Sequence, residues 1–337
     1  MRIALDVMGG DIAPAQNLLG AKQALALFPQ IERLYLVGPE ATVREEMAKH
    51  GLQDARCEIV NAPDIVLMTD SAVKSVRQKK NSSINVSVEL VKQGTADAMV
   101  SAGNTGAAVA SSTLKLRTLE GVERAGIACP MPNLVNDTCH LMDAGANVDS
   151  RPIHLFHYAI MGSIYRQFML GVENPVIGLL SNGEEEGKGN ELTRDVTELL
   201  RASRLNFRGN VEGRDIFLNA VDVAICDGFV GNVFLKGAEG LSKAMFTLIK
   251  QEVSASLRYK LGGLLIKPAI KRVQHRGSYE AVGGSPLLGV NGITIIAHGS
   301  SSPFAIQNAI RVATEAVKHR INARIQDEIA RYLPVGG

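Results

Sequence analysis

Along most of the chain, short apolar runs alternate with longer stretches whose apolar positions recur at helical spacing. Runs at 3–7, 34–37, 58–60, 98–101, 126–129, 140–143, 176–180, 223–226 and 293–297 predict strands. Between them, 15–28, 40–50, 86–93, 105–116, 152–170, 191–204, 232–252 and 303–332 predict helices. Unbroken apolar strands separated by helices imply a mostly parallel sheet covered on both faces. No linker, repeat or low-complexity tract interrupts the pattern, so the expectation is a single doubly wound α/β unit over residues 1–337.

One segment departs from this pattern. Residues 250–276 hold seven basic residues (Lys250, Arg258, Lys260, Lys267, Lys271, Arg272, Arg276) and one acidic residue, Glu252. That is +6, which leaves −4 for the rest of a chain with net charge +2. Val253, Leu257 and Leu261 fall at i, i+4 and i+8, one stripe of a helix. Gly262-Gly263 permits a turn, and Pro268 then sits early in a second helix, with Leu264, Leu265, Ile266, Ile270 and Val273 as its apolar residues. The reading is a basic amphipathic helical hairpin protruding from the fold. Exposing Leu264-Leu265-Ile266 at its tip is costly, which favours membrane-surface attachment over a solvated helix pair or an oligomer contact.

Composition narrows the function. Hydrophobic residues are 46% and charged residues 21% of the 337, which excludes global disorder. The near-balanced charge, with 4% aromatics and no Trp, argues against a nucleic-acid binder. Four cysteines without a CxxC pair fit a reduced, intracellular protein. The first residues are too short an apolar stretch and too acidic for a signal peptide, and no run approaches a membrane span, so the expectation is a soluble cytosolic protein.

Candidate chemistry lies in the polar, Gly-rich clusters after the predicted strands, where open α/β sheets bind ligands. Asp6-Val7-Met8-Gly9-Gly10-Asp11 ends the first strand and, alone, reads as a tight turn with Asp11 capping the next helix. Ser101-Ala102-Gly103-Asn104-Thr105-Gly106 opens a helix whose uncovered N–H groups make a phosphate or oxyanion site, with Asn104 and Thr105 as added donors or caps. Asp143-Ala144-Gly145-Ala146-Asn147 follows another strand and suits an Asx turn. Asn182-Gly183-Glu184-Glu185-Glu186-Gly187-Lys188-Gly189 partly matches a Walker A loop but lacks its spacing and its Ser or Thr. Lys188 remains an anion ligand there, with the glutamates holding it in place. Asp227-Gly228-Phe229-Val230-Gly231-Asn232 enters a further helix, and His298-Gly299-Ser300-Ser301-Ser302 follows the last strand. There is no GxGxxG, GxSxG or HExxH pattern, so no dinucleotide cofactor, serine nucleophile or metal is expected. The residues alone give an anion-binding α/β enzyme of undetermined chemistry.

Taken in order, these clusters resemble the bacterial fatty acyl-acyl carrier protein:phosphate acyltransferases of phospholipid synthesis, the PlsX family. The stretches that carry the resemblance are ALDVMGGDIAP (4–14), SAGNTGA (101–107), DAGANVD (143–149), LLSNGEEEGKGN (179–190), DVAICDGFVGNVFLKGAEG (222–240), YEAVGGSPLLGVNG (279–292) and AHGSS (297–301). Ser285 stands where alanine is expected, a small-for-small change. The resemblance implies a Rossmann-like α/β/α sandwich, similar to isopropylmalate dehydrogenases and phosphotransacetylases. It also implies transfer of a long acyl chain from acyl carrier protein to inorganic phosphate without a cofactor. A homodimer is implied as well, as is a peripheral position on the inner face of the cell membrane, beside the downstream glycerol-3-phosphate acyltransferase.

On that reading Asn104, Asn182, Lys188, Asp227 and His298 are the catalytic candidates. Asp6, Gly9, Gly10, Asp11, Ser101, Gly103, Thr105, Gly106, Asp143, Asn147, Gly231 and Asn232 would bind substrate. Leu257, Leu261, Leu264, Leu265, Ile266 and Lys267 would touch the membrane. The rivals are a short-chain phosphotransacetylase using coenzyme A and a non-catalytic membrane scaffold for lipid enzymes.

Overall fold

The computed structural model describes residues 1–135, 137–276 and 279–332. The side chains of 275, 276 and 279 lie outside that description, and with them the Arg276 charge and the Tyr279 of the 279–292 motif. The protein is a mixed α/β fold in which the strands divide between two sheets. The first contains β1 (Arg2–Asp6), β2 (Arg33–Gly38), β3 (Cys57–Asn61), β4 (Ala98–Ser101) and β5 (Gly126–Ile127). The second contains β6 (Cys129–Pro132), β7 (Thr138–Met142), β8 (Ile177–Leu180), β9 (Phe207–Val211) and β10 (Val223–Ile225). Two last strands, β11 (Ser285–Leu288) and β12 (Ile293–Ile296), return to the first sheet, giving the orders β3-β2-β1-β4-β12-β11-β5 and β6-β7-β10-β8-β9. The apolar run at 126–129 therefore crosses between sheets: its first half is β5 and its last residue opens β6.

The central strands are apolar without alternation because helices cover both their faces. On one face of the first sheet, α1 (Ala15–Leu27) and α12 (Pro303–Lys318) bury Leu18, Ala21, Ile306 and Ile310 against Ile3, Leu5 and Val100. The helix α2 (Glu40–Lys49) adds Val43 to that core. On the other face lie α3 (Ala72–Gln78), α4 (Ser83–Lys92) and α5 (Thr105–Leu116). The second sheet packs on α6 (Pro152–Leu170), α7 (Glu191–Arg201) and, at its edge, α8 (Gly213–Phe217). The expected helix at 303–332 is broken at Arg320, whose φ of 53° is left-handed, so α13 (Ile321–Ala330) turns back onto α6.

Parallel pairing aligns the strand ends. Asp6 is paired with Ser101, and Ser101 with Ile296. In the second sheet Ile225 is paired with both Met142 and Leu179. The loops after β1, β4 and β12 thus share one edge, and those after β7, β8 and β10 share another.

The hairpin departs from expectation. Its arms are α9 (Gly228–Ser254) and α10 (Leu257–Arg276), and the short α11 (Tyr279–Val282) follows. The turn falls at Ala255-Ser256, where Ser256 Oγ accepts the Tyr259 N–H at 3.2 Å. Gly262 and Gly263 stay inside α10 because Gly263 abuts Val253: a Cβ there would overlap the valine methyl, so the missing side chain permits helix packing instead of a turn. Leu264 and Leu265 consequently lie along the arm, about 10 Å from its start at 1.5 Å per residue. Leu257, Leu261, Leu264, Leu265 and Ile266 are all exposed.

Candidate active site

In the first sheet, Asp6 is fully buried at the end of β1. Its carboxylate accepts the Ser101 hydroxyl at 2.6 Å and the Met8 N–H at 3.1 Å, so it clamps the turn after β1 to the end of β4. Burial raises its pKa, and hydrogen bonds from Ser101, Ser83 and the Met8 and Gly9 N–H groups pull it back. Asn17, from α1, donates to the carbonyls of Val7 and Gly9 and holds the same turn from behind. Gly9 lies against the Gly103 backbone, and the Gly103 N–H donates to Ser101 Oγ. Asp11 does not cap α1, which starts after Pro14 without a side-chain cap. Its backbone N–H instead donates to the Gly299 carbonyl, tying the first loop to the His298 loop. His298 is exposed, with Nδ1 2.8 Å from Ser300 Oγ.

Asn104 does two jobs at the start of α5. Its Oδ1 accepts the Ala107 N–H at 3.0 Å, a helix cap, while Nδ2 reaches the carbonyls of Leu67, Met68 and Asp70 at 3.1–3.3 Å. The segment 62–71 is thereby strapped across the end of α5 beside Thr105 and Gly106, with Ala72 against Gly106. Asn104→Ala is expected to cost about 1–2 kcal/mol of unfolding free energy, read from urea titration, the scale of a lost cap plus buried bonds. Asn104→Asp keeps the cap oxygen but loses the amide donors, so it should free the strap to proteases with α5 intact.

In the second sheet, Asp143 is fully buried and takes the N–H groups of Ile127, Gly145, Ala146 and Asn147 at 2.7–3.1 Å. Burial raises its pKa against those four donors. Asn147 Nδ2 donates to the Ala125 carbonyl and the Tyr158 hydroxyl. Bonds to Ala125 and Ile127 fasten this loop to the first sheet, and Ala144 shares an apolar cluster with Ala107 and Ala108 of α5. Asp227 caps α9 through the Val230 N–H at 2.9 Å, and Gly231 sits flush on the Asp143 carbonyl, with Asn232 beside Gly145. The starts of α5 and α9 therefore flank one seam between the sheets. At α5 the exposed Thr105 and Gly106 N–H groups have no described partner, whereas at α9 the Gly228, Val230 and Gly231 N–H groups are taken by the Asn147 carbonyl, the Asp227 side chain and the Asp227 carbonyl.

The 181–190 loop is held differently from expectation. Asn182 Oδ1 accepts the Gly189 N–H at 2.9 Å. The glutamates do not hold Lys188: Glu184 pairs with Arg214 at 3.1 Å and Glu186 pairs with Arg201. Arginine, with its planar fork, takes the carboxylates, and Lys188 stands exposed with no ion-pair partner among the described residues. The described bonds of this loop run to its own sheet, α7 and α8; it follows β8, the neighbour of β10, whose end carries the Asp227 turn. Being sealed, Asp6 and Asp143 act through the loops they hold. Asn17, Ser83, Tyr158 and the 62–71 strap escaped the sequence reading. None lies in a Gly-rich cluster after an apolar run.

Residues 1–324 match the family model described as "Fatty acid synthesis protein". A curated relative from Akkermansia muciniphila, named phosphate acyltransferase, is 50% identical over 337 residues, covering 98% of this chain and 96% of the relative. The chain belongs to the fatty acid synthesis protein family. As a member of it, the chain is an acyltransferase. Solved structures agree on the family's fold at low identity. A phosphotransacetylase from Streptococcus pyogenes has TM-score 0.60 and 18% identity, covering 94% of each chain. A 4-hydroxythreonine-4-phosphate dehydrogenase from Klebsiella pneumoniae has TM-score 0.50 and 12% identity, covering 94% of this chain and 97% of that one. These two neighbours carry the Rossmann-like α/β class expected from sequence.

Proposed function

We propose that the chain moves a long acyl group from an acyl carrier protein thioester to inorganic phosphate, yielding acyl phosphate and free carrier thiol. The observation that carries this is the seam itself. The α5 start presents the exposed Thr105 and Gly106 N–H groups, Asn232 stands exposed at the start of α9, and exposed Lys188 lies on the loop after β8, the neighbour of β10, a setting for a dianion and a developing oxyanion.

A phosphate oxygen attacks the thioester carbonyl carbon and forms the new C–O bond. The carbonyl electrons move to the oxyanion, which the Thr105 and Gly106 N–H groups and the Asn182 amide stabilise. The oxyanion then collapses, the C–S bond breaks and the thiolate leaves. Lys188 supplies positive charge for phosphate, and the Asn232 end of α9 orients it. Among the acid–base groups at the strand ends, Asp6 is sealed and Asp227 is engaged as a cap. Proton transfer is assigned to exposed His298, whose Nδ1 lies on Ser300 Oγ, and to exposed Asp11.

The test is thiol release from a long-chain acyl carrier thioester with and without phosphate, with acyl phosphate trapped as hydroxamate. Equal phosphate-dependent release of thiol and hydroxamate is expected. Release from acetyl-coenzyme A in preference would select the short-chain alternative, and no release from either would leave the scaffold reading.

The reading includes a homodimer held at the inner face of the membrane, close to the glycerol-3-phosphate acyltransferase that uses the product. No helix among the described residues is long and apolar enough to cross a membrane. Exposed leucines of α10, with Arg258, Lys260, Lys267 and Lys271, suit a surface contact, each cation adding about 1 kcal/mol near anionic lipid. Leu264→Glu with Leu265→Glu is expected to release the protein from anionic vesicles in flotation assays while acyl transfer in solution persists. Retained flotation would exclude α10 as the anchor.

A further inference from the structure

From Ser71 to Val88 the chain carries Lys74, Arg77, Lys79 and Lys80 and no carboxylate. Lys79 is used internally, with Nζ 2.6 Å from Asp70 and 2.7 Å from the Ile65 carbonyl, which stiffens the 62–71 strap. Lys74, Arg77 and Lys80 are exposed, and no carboxylate lies within ion-pair distance of them among the described residues. Lys74 and Arg77 stand three apart on α3, opposite buried Ser75 and Val76, and Lys80 follows just past the helix end. Three neighbouring like charges without counter-ions repel one another, an arrangement suited to an acidic partner.

Beside them are exposed apolar side chains: Val73 of α3 and Leu67 and Met68 of the strap. These do not drift, because Asn104 holds the strap by three carbonyls and the Met68 methyl lies on Gly299 of the His298 loop. The patch is therefore fixed at the start of α5, with Leu67 and Met68 held at Asn104 and Gly299 and the cations on α3 and just past its end. A small anion would have no use for the apolar part. The larger basic segment on α10 is a separate element.

We propose that the strap and α3 form the docking surface for the acidic carrier protein that presents the acyl thioester. Lys74, Arg77 and Lys80 meet carrier carboxylates, and Leu67 and Met68 cover the arm and acyl chain entering the seam. This rests on the acyl-transfer reading above and names where its protein substrate binds.

The test is Lys74→Glu/Arg77→Glu/Lys80→Glu, assayed by phosphate-dependent thiol release from two substrates. These are the acyl carrier thioester and the same acyl chain on N-acetylcysteamine, which is uncharged and carrier-free. Expected are a rise in carrier KM of about 30-fold, loss of its salt dependence and no change with the carrier-free thioester, because rim charges act on encounter. A control triple reversal on α10 (Arg258→Glu/Lys260→Glu/Lys271→Glu) should leave carrier KM unchanged. If the α3 triple variant does not fold, Arg77→Glu alone carries the test, at about threefold. An unchanged carrier KM, or an equal rise with both substrates, overturns the docking surface. So does loss of vesicle binding at normal carrier KM, which would assign the patch to lipid. If wild type releases no phosphate-dependent thiol from either substrate, the acyl-transfer reading itself has failed. That outcome is distinct from every other.

Discussion

Acidification from pH 6.5 toward 3 is expected to remove on the order of 4 kcal/mol of folding stability through one side chain, His140. It lies in β7, is 1% exposed, and its Nδ1 has no hydrogen-bond partner among the described residues. The Tyr165 ring packs edge-on at 5.2 Å, and the buried Arg166 guanidinium is bound between Asp137 and Asp222. Burial, then the Arg166 charge, push its pKa down to about 3, against a smaller pull from Asp137. The unfolded chain binds this proton near pH 6.5 and the folded one does not until about 3. The contribution is therefore complete above pH 6.5 and falls by about 1.4 kcal/mol per pH unit below it. Burial also depresses His154 and His157, which act in the same direction, whereas the raised carboxyls of Asp6 and Asp143 act in the opposite one. The measurement is thus a difference. In urea titrations at pH 7.5, 6 and 5, wild type should lose stability relative to His140→Phe by about 1.4 kcal/mol per unit below pH 6.5, since phenylalanine keeps the edge contact without a titrating nitrogen. Parallel curves would mean that His140 is protonated in the folded state.

The sequence made β4, α5 and α6 legible to the residue because apolar pattern and boundary chemistry agree there. Asn104 caps α5, and Pro152 opens α6, which stops at left-handed Gly171. Strands without an apolar run stayed hidden. In β9 the sequence Phe-Arg-Gly-Asn-Val is a half-exposed edge, and β6, Cys-Pro-Met-Pro, pairs antiparallel at the opposite edge. The break at Arg320 carries no glycine to announce it. The division into two sheets depends on which strands pair across long separations, and periodicity holds no record of that. For the site, strand-end clusters were visible because glycine and short polar residues follow apolar runs. Which polar groups are spent internally was not visible. Asn104 looks like a free donor until its amide is seen on three strap carbonyls, and the glutamates around Lys188 look like its partners until arginines from α7 and α8 reach them.

Gly231→Ala should cost about 3 kcal/mol, the upper end for overpacking, because the atoms it meets cannot yield. A methyl at 231 would overlap the Asp143 carbonyl oxygen and press on Cys226 Sγ at 3.0 Å. The carbonyl is not free to retreat, because the Asp143 carboxylate is fastened to four backbone N–H groups, one of them on β5 of the other sheet. Relief would have to come from lifting the first turn of α9, which pulls Asn232 and the Asp227 cap away from the seam. Acyl transfer should then fall with stability, and in any fraction that stays folded the phosphate KM should rise. Gly237→Ala is the matched control, six residues further along the same helix with nothing within 4 Å of the added carbon. There alanine should add about 0.5–1 kcal/mol through helix propensity and leave activity alone. Equal stability of the two variants in urea titrations would mean that α9 slides on the Asp143 loop. The α9 N-terminus would then be no fixed wall of the seam, and the phosphate-orienting role given to it would have to pass to α5.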